Sequence, residues 1–144
     1  LVLNLGLAPG RTDINVERVA INVADFSIPD ASGRKPVDAL IDPTGPAAHF
    51  ATIPVKKVVR ALLSEGIPAS LSNTAGTYLC NFIMYTSLNH LAKNASDAKA
   101  GFIHVPNLPA QSAEKYLTDR TQTPSMSLET MLKGIEIAIR TSLP

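Results

Sequence analysis

The opening residues Leu1-Val-Leu-Asn-Leu-Gly-Leu7 form an apolar run with no regular alternation of polar and apolar side chains. Such a run reads as a strand buried on both faces, the pattern of a parallel sheet. Parallel strands cannot be joined by tight hairpins, so helical crossovers must follow in the chain. A domain rarely starts inside its own core, so we expect a further N-terminal segment ahead of Leu1.

The later segments answer that requirement. Ile14 to Val23 has strand-like spacing at Ile14, Val16, Val19, Ile21 and Val23. Residues 25–46 are irregular and rich in Pro, Gly and Asp. Pro54 suits a first helical position, and Val55, Val58, Val59, Leu62 and Leu63 repeat at helical spacing. Lys56, Lys57 and Arg60 take the other side as a solvated face, and Gly66 closes the helix. A short buried strand is expected at Ala69 to Leu71, then a polar turn from Ser72 to Gly76. An apolar helix begins near Thr77 and runs to Leu91, with Thr74 or Thr77 as its cap. Ala92 to Lys99 connects to a third buried strand, Ala100 to Val105. Gln111 to Thr123 reads as loop or frayed helix. Ser127 caps a last helix with a stripe of Leu128, Met131, Leu132, Ile135 and Ile139. The order predicts an α/β fold, a three-layer α/β/α sandwich with a largely parallel, mixed sheet, in one domain over residues 1–144.

Composition narrows the function. The 144 residues are 45% hydrophobic and 17% charged, with a formal net charge of +1. That balance gives no electrostatic case for nucleic acid or an acidic membrane. No apolar run is long enough to span a bilayer. The single cysteine cannot close an intrachain disulfide, which fits a reducing cytoplasm.

Chemistry is suggested at three places. Cys80 falls in the first turn of a helix that follows a strand, where the helix dipole favours a thiolate and open sheets bind ligands. A buried structural cysteine is the equal alternative by residue type. His104 stands at the C-terminal end of a strand on the same sheet edge. His90 reads as an exposed residue near a helix end, and His49 has no strand to position it. Glu17 interrupts a β-branched stretch; by pattern alone it is a solvated edge residue beside Arg18. A thiol, an imidazole and a carboxylate are the three groups that an activated cysteine nucleophile needs.

The motifs around them add specificity. Ser72-Asn-Thr-Ala-Gly-Thr-Tyr-Leu-Cys80-Asn81 resembles the cysteine signature of the pyroglutamyl peptidase I family. Gly6-Leu-Ala-Pro-Gly-Arg11 followed by Ile14-Asn-Val-Glu17-Arg-Val-Ala-Ile-Asn22 resembles its glutamate signature, and Gly101-Phe-Ile-His104-Val-Pro106 its histidine segment. The three occur in the family's order, and the similarity covers the whole chain. Three positions depart from it: Asn15 stands where Ser or Thr is usual, Ser27 where many members carry Arg, and Leu7 where some carry Gln.

The resemblance implies a cysteine exopeptidase that removes an N-terminal pyroglutamyl residue from peptides, with no metal or cofactor. Cys80 would be the nucleophile, His104 the general acid and base, and Glu17 the group that orients His104. Ile28, Tyr78 and Leu79 would wall the lactam ring. The family also implies homotetramers. The family's usual N-terminal segment, which helps enclose the lactam, has no counterpart here. Two rivals therefore remain at this point: an impaired relative kept for its fold or for association, and a cysteine amidase of another acyl specificity.

Overall fold

The computed structural model describes residues 1–143. Its central sheet is built from β1 (Val2–Leu7), β2 (Ile14–Glu17), β5 (Ala69–Ser72) and β6 (Ala100–Val105) in the order β1-β6-β2-β5. β1 runs parallel to β6 and β2 parallel to β5, while β2 and β6 are antiparallel, so the sheet is mixed. β3 (Val19–Ile21) and β4 (Ala48–Phe50) form a separate antiparallel pair. The helices are α1 (Val55–Ser64), α2 (Leu79–Lys93), α3 (Pro109–Asp119) and α4 (Leu128–Ser142).

Strand alternation sends successive side chains to opposite faces, and the two cores divide accordingly. Ile14, Val16 and Ile103 pack with Val58 and Leu62 of α1 and Met131 and Ala138 of α4. Phe102 and Ala100 pack on the other side with Met84, Tyr85 and Leu88 of α2. Each fully buried aliphatic side chain stabilises the fold by ~1.5–3 kcal/mol relative to leaving it in water. Helices on both faces of a mixed sheet make the expected three-layer architecture. α1 ends where Gly66 adopts φ +72°, a left-handed conformation that glycine takes without a Cβ penalty. Ser127 accepts a hydrogen bond from the Thr130 N–H at 3.1 Å and caps α4 as its sequence predicts.

Several expectations change. β1 is an edge strand, not one buried on both faces: Leu5 is 53% and Leu7 47% exposed. Three of the five residues of the predicted α4 stripe, Leu128, Leu132 and Ile139, are exposed too. Leu128 and Leu132 join Leu5, Leu7 and Ile135 along an apolar groove of about 320 Å³. His49, assigned to no strand from sequence, lies in β4 and pairs through Nε2 with Asn89 Oδ1 at 3.0 Å. β4 was hidden because it is three residues long and is held by pairing with β3. The polar segment after Leu108 is mostly ordered as α3, with Pro109 in its first turn and Gln111 Oε1 accepting from the Leu108 N–H at 2.8 Å.

Neither threonine caps α2. The N-cap is Tyr78, with no side-chain cap bond. Thr77 instead donates through Oγ1 to the Asp25 carbonyl at 2.8 Å, and Thr74 Oγ1 accepts from Gly76 N–H.

Candidate active site

β2 and β6 lie side by side and run in opposite directions, with Asn15 opposite His104 and Val16 opposite Ile103. This register puts Asn15 and Glu17 of β2, and Phe102 and His104 of β6, on the sheet face that α2 covers. Glu17 is 0% exposed and His104 6%. The pattern-based alternative, a solvated Glu17 beside Arg18, is therefore wrong. The carboxylate faces inward, where a charge needs a partner. It has one: His104 Nδ1–H donates to Glu17 Oε1 at 2.8 Å. Glu17 Oε2 and Asn15 Oδ1 are buried acceptors without a protein donor among the described residues. Asn15 Nδ2 donates to Ser70 Oγ at 2.7 Å and to Asp13 Oδ1 at 2.9 Å.

Cys80 arrives from the other direction, as the second residue of α2, and is partly buried. Gly6 of β1, paired with His104 in the parallel ladder, lies beneath it. A Cβ on Gly6 would stand 3.1 Å from Cys80 Sγ and 2.7 Å from the Phe102 ring. The missing side chain is what lets the helix bring the thiol down onto the sheet. The Phe102 ring lies 4.8 Å from the imidazole, centroid to centroid, and supports it from the same strand.

The electrostatics of His104 follow from this setting. Burial alone would lower its pKa, but the adjacent Cys80 and Glu17 outweigh burial and raise it to about 9. A direct hydrogen bond of ordinary geometry is formed on the Glu17 side. Cys80 is present by proximity to the ring. Unliganded catalytic pairs are often looser than the complexes they form.

α2 has no side-chain cap, so the backbone N–H groups of its first turn are not consumed by a capping oxygen. Beside that turn is a cleft of about 390 Å³, lined by Ala24, Phe26, Leu40, Leu79 and Phe82, with Arg34 and Lys35 among its border residues. Of the three expected wall residues, Leu79 lines this cleft. Tyr78 packs edge-on against Phe26 at 4.7 Å and donates through its hydroxyl to the Pro29 carbonyl at 3.2 Å. Ile28 is 59% exposed and does not line the cleft. His90 sits in the last turn of α2, nearly three helical turns along from Cys80, and is exposed. His49 is engaged with Asn89.

The structure gathers Glu17 and His104, with Cys80 beside the ring, but sequence reasoning did not single out Gly6 and Phe102, which pack beneath the thiol and against the imidazole. Gly6 carried a signal, as a glycine within an apolar strand often marks a close approach.

Comparison with known proteins places the chain in a family. The pyroglutamyl peptidase family model matches residues 1–143. Pyrrolidone-carboxylate peptidase 1 of Caldanaerobacter subterraneus subsp. tengcongensis is 55% identical over 139 residues, which is 96% of this chain and 66% of that protein. The pyrrolidone-carboxylate peptidase of Thermococcus litoralis is 46% identical over 143 residues, covering 99% of this chain and 65% of its own length. The chain thus spans about 66% of the length of the curated relatives it matches. Among solved structures, pyrrolidone carboxyl peptidase from Pyrococcus furiosus superposes with a TM-score of 0.93 at 44% identity, over 97% of this chain and 67% of that one. With its three motifs, its fold and these relatives in agreement, the chain belongs to the pyroglutamyl peptidase family.

Proposed function

We propose that this chain carries the catalytic centre of an enzyme that cleaves the amide bond after an N-terminal pyroglutamyl residue, with Cys80 as nucleophile. The observation that carries the reading is the 2.8 Å bond between His104 Nδ1 and the buried Glu17, with Cys80 beside the same ring. With Nδ1 committed to Glu17, the other ring nitrogen is left to exchange a proton with sulfur or substrate.

The steps follow from those roles. The thiol proton passes to His104, and sulfur attacks the pyroglutamyl carbonyl carbon, placing a negative charge on the carbonyl oxygen. First-turn N–H groups of α2 are the donors for that oxyanion. The intermediate collapses as His104 protonates the leaving amine, giving a thioester on Cys80 and a shortened peptide. Water, deprotonated by His104, then attacks the thioester and releases pyroglutamate with the thiol restored. Glu17 holds the ring and offsets the imidazolium charge in both halves.

The lactam has no free ammonium, so its recognition calls for apolar walls and few amide hydrogen bonds. The apolar wall of Phe26, Leu79 and Phe82 in the cleft next to Cys80 suits that demand, while Asp30, Arg34 and Lys35 also line the cleft and Cys80 itself does not. The family likeness also supports a homotetramer, which sedimentation of the purified chain tests by mass.

The functional test is release of a fluorescent amine from a pyroglutamyl amide by wild type and Cys80→Ala. We expect turnover in wild type only. Equal background rates would remove the peptidase reading for this chain. A preference for prolyl or unblocked glutamyl amides would reject the substrate.

A further inference from the structure

Every polar atom of the side chain that follows Cys80 is hydrogen-bonded to the backbone. Asn81 is 1% exposed and lies in the first turn of α2. Its Oδ1 accepts from the Ile21 N–H at 2.9 Å. Its Nδ2 donates to the Ile21 carbonyl at 2.9 Å and the Val23 carbonyl at 3.0 Å. Ile21 ends β3, whose far edge pairs with Ala48 of β4. The Asn81 amide thus meets both the donor and the acceptor of one residue, as a neighbouring strand would. Beyond Val23 the chain continues to Ala24 and Phe26, which line the cleft with Leu79 and Phe82.

We propose that Asn81 is a positioning residue for Cys80, holding the first turn of α2 at the depth where the thiol meets the imidazole and tying it to the chain that walls the cleft. The inference rests on Cys80 and His104 being the reactive pair. The geometry gives it force for two reasons. No side-chain cap fixes the start of the helix, and the sulfur lies close enough above Gly6 that a Cβ there would meet it at 3.1 Å. A shift of about 1 Å at a reacting atom can cost on the order of a hundredfold in rate.

The same helix supplies a control. Asn89, eight residues on, is also buried; its Nδ2 donates to Asp42 Oδ2 at 2.6 Å, and its Oδ1 meets His49 Nε2 at 3.0 Å. If these asparagines only stabilise α2, removing either has the same consequence.

The test reads the thiol and imidazole directly, without substrate. His104 is titrated by NMR and Cys80 is alkylated with iodoacetamide in wild type, Asn81→Ala, Asn81→Asp and Asn89→Ala. Cys80→Ala marks the His104 titration with the thiol absent. The ionisable groups facing His104 are Glu17 from β2 and Cys80 from α2. Asn81→Ala is expected to move the His104 titration down towards the Cys80→Ala value and slow alkylation by about tenfold or more. Asn89→Ala is expected to leave both unchanged. Asn81→Asp keeps the acceptor for Ile21 N–H but sets a carboxylate against two carbonyls. Its alkylation rate should recover relative to wild type as acid protonates it and restores one donor. This isosteric variant carries the test if Asn81→Ala does not fold. A folded Asn81 variant with wild-type titration and alkylation overturns the proposal, and so does equal damage from Asn89→Ala. Failure of wild type to release pyroglutamate would remove the peptidase reading while leaving these measurements to decide Asn81.

Discussion

Glu17 and His104 meet at 2.8 Å across two antiparallel neighbours in the sheet, although 87 positions separate them in sequence. The carboxylate has no solvent access, and its second oxygen has no protein donor among the described residues. Its charge is consequently supported from one side, by the imidazole.

Glu17→Gln keeps the shape of the carboxylate and removes its charge. Pyroglutamyl amide hydrolysis should fall on the order of a thousandfold or more, in line with loss of the orienting acid from catalytic triads. The His104 titration should move down in the same variant, because one of the two groups that raise it has gone. An NMR titration alongside the rate measurement checks both; an unmoved imidazole would contradict the pairing.

Stability should depend on pH through the same histidine. Its folded-state pKa of about 9 lies above the ordinary 6.5, so the folded state holds a proton that the unfolded chain has released between those values. The contribution is complete below about pH 6.5 and is lost as pH rises through about 9. Urea unfolding from pH 6 to 10 should show stability declining across that window, with a smaller decline in Cys80→Ala.

Gly6→Ala tests the close approach of strand and thiol. The added Cβ would fall 2.7 Å from the Phe102 ring and 3.1 Å from Cys80 Sγ. Overpacking of this kind costs ~1–3 kcal/mol of stability. Activity should fall further than the melting shift explains, since sulfur is among the atoms displaced. Thermal melts and rates measured on one preparation separate the two losses.

Asn89→Ala addresses the far end of α2. It removes the bonds to Asp42 and His49, both partly exposed, at a cost of ~0.5–1.5 kcal/mol for each bond. The segment around Asp42, which also accepts from Lys93 and Thr44, should become the first site of limited proteolysis. Cleavage mapped elsewhere would contradict that role.

The strands and helices that were legible in the sequence are those whose periodicity suffices alone. Val55 to Leu63 announces α1 by its spacing, and Ser127 announces α4 by its cap. What escaped depends on partners distant in sequence. β4 exists because Val19 to Ile21 lies beside it, and Thr77 is drawn away from its expected cap by the Asp25 carbonyl. The same holds within the site. Residue types and motifs identified Glu17, Cys80 and His104, but the burial of Glu17 follows from its register beside β6. A solvated edge residue and a buried acid share one local pattern. The role of Asn81 was invisible for the same reason, because its bonds reach Ile21 and Val23, about 60 positions earlier.

The placement of His104 on β6, far along the chain from both Glu17 and Cys80, also affects synthesis. The chain reaches β6 only after β2 and the start of α2, so Glu17 and Cys80 precede the imidazole in synthesis. The bond that fixes the imidazole can therefore form only once β6 lies between β1 and β2.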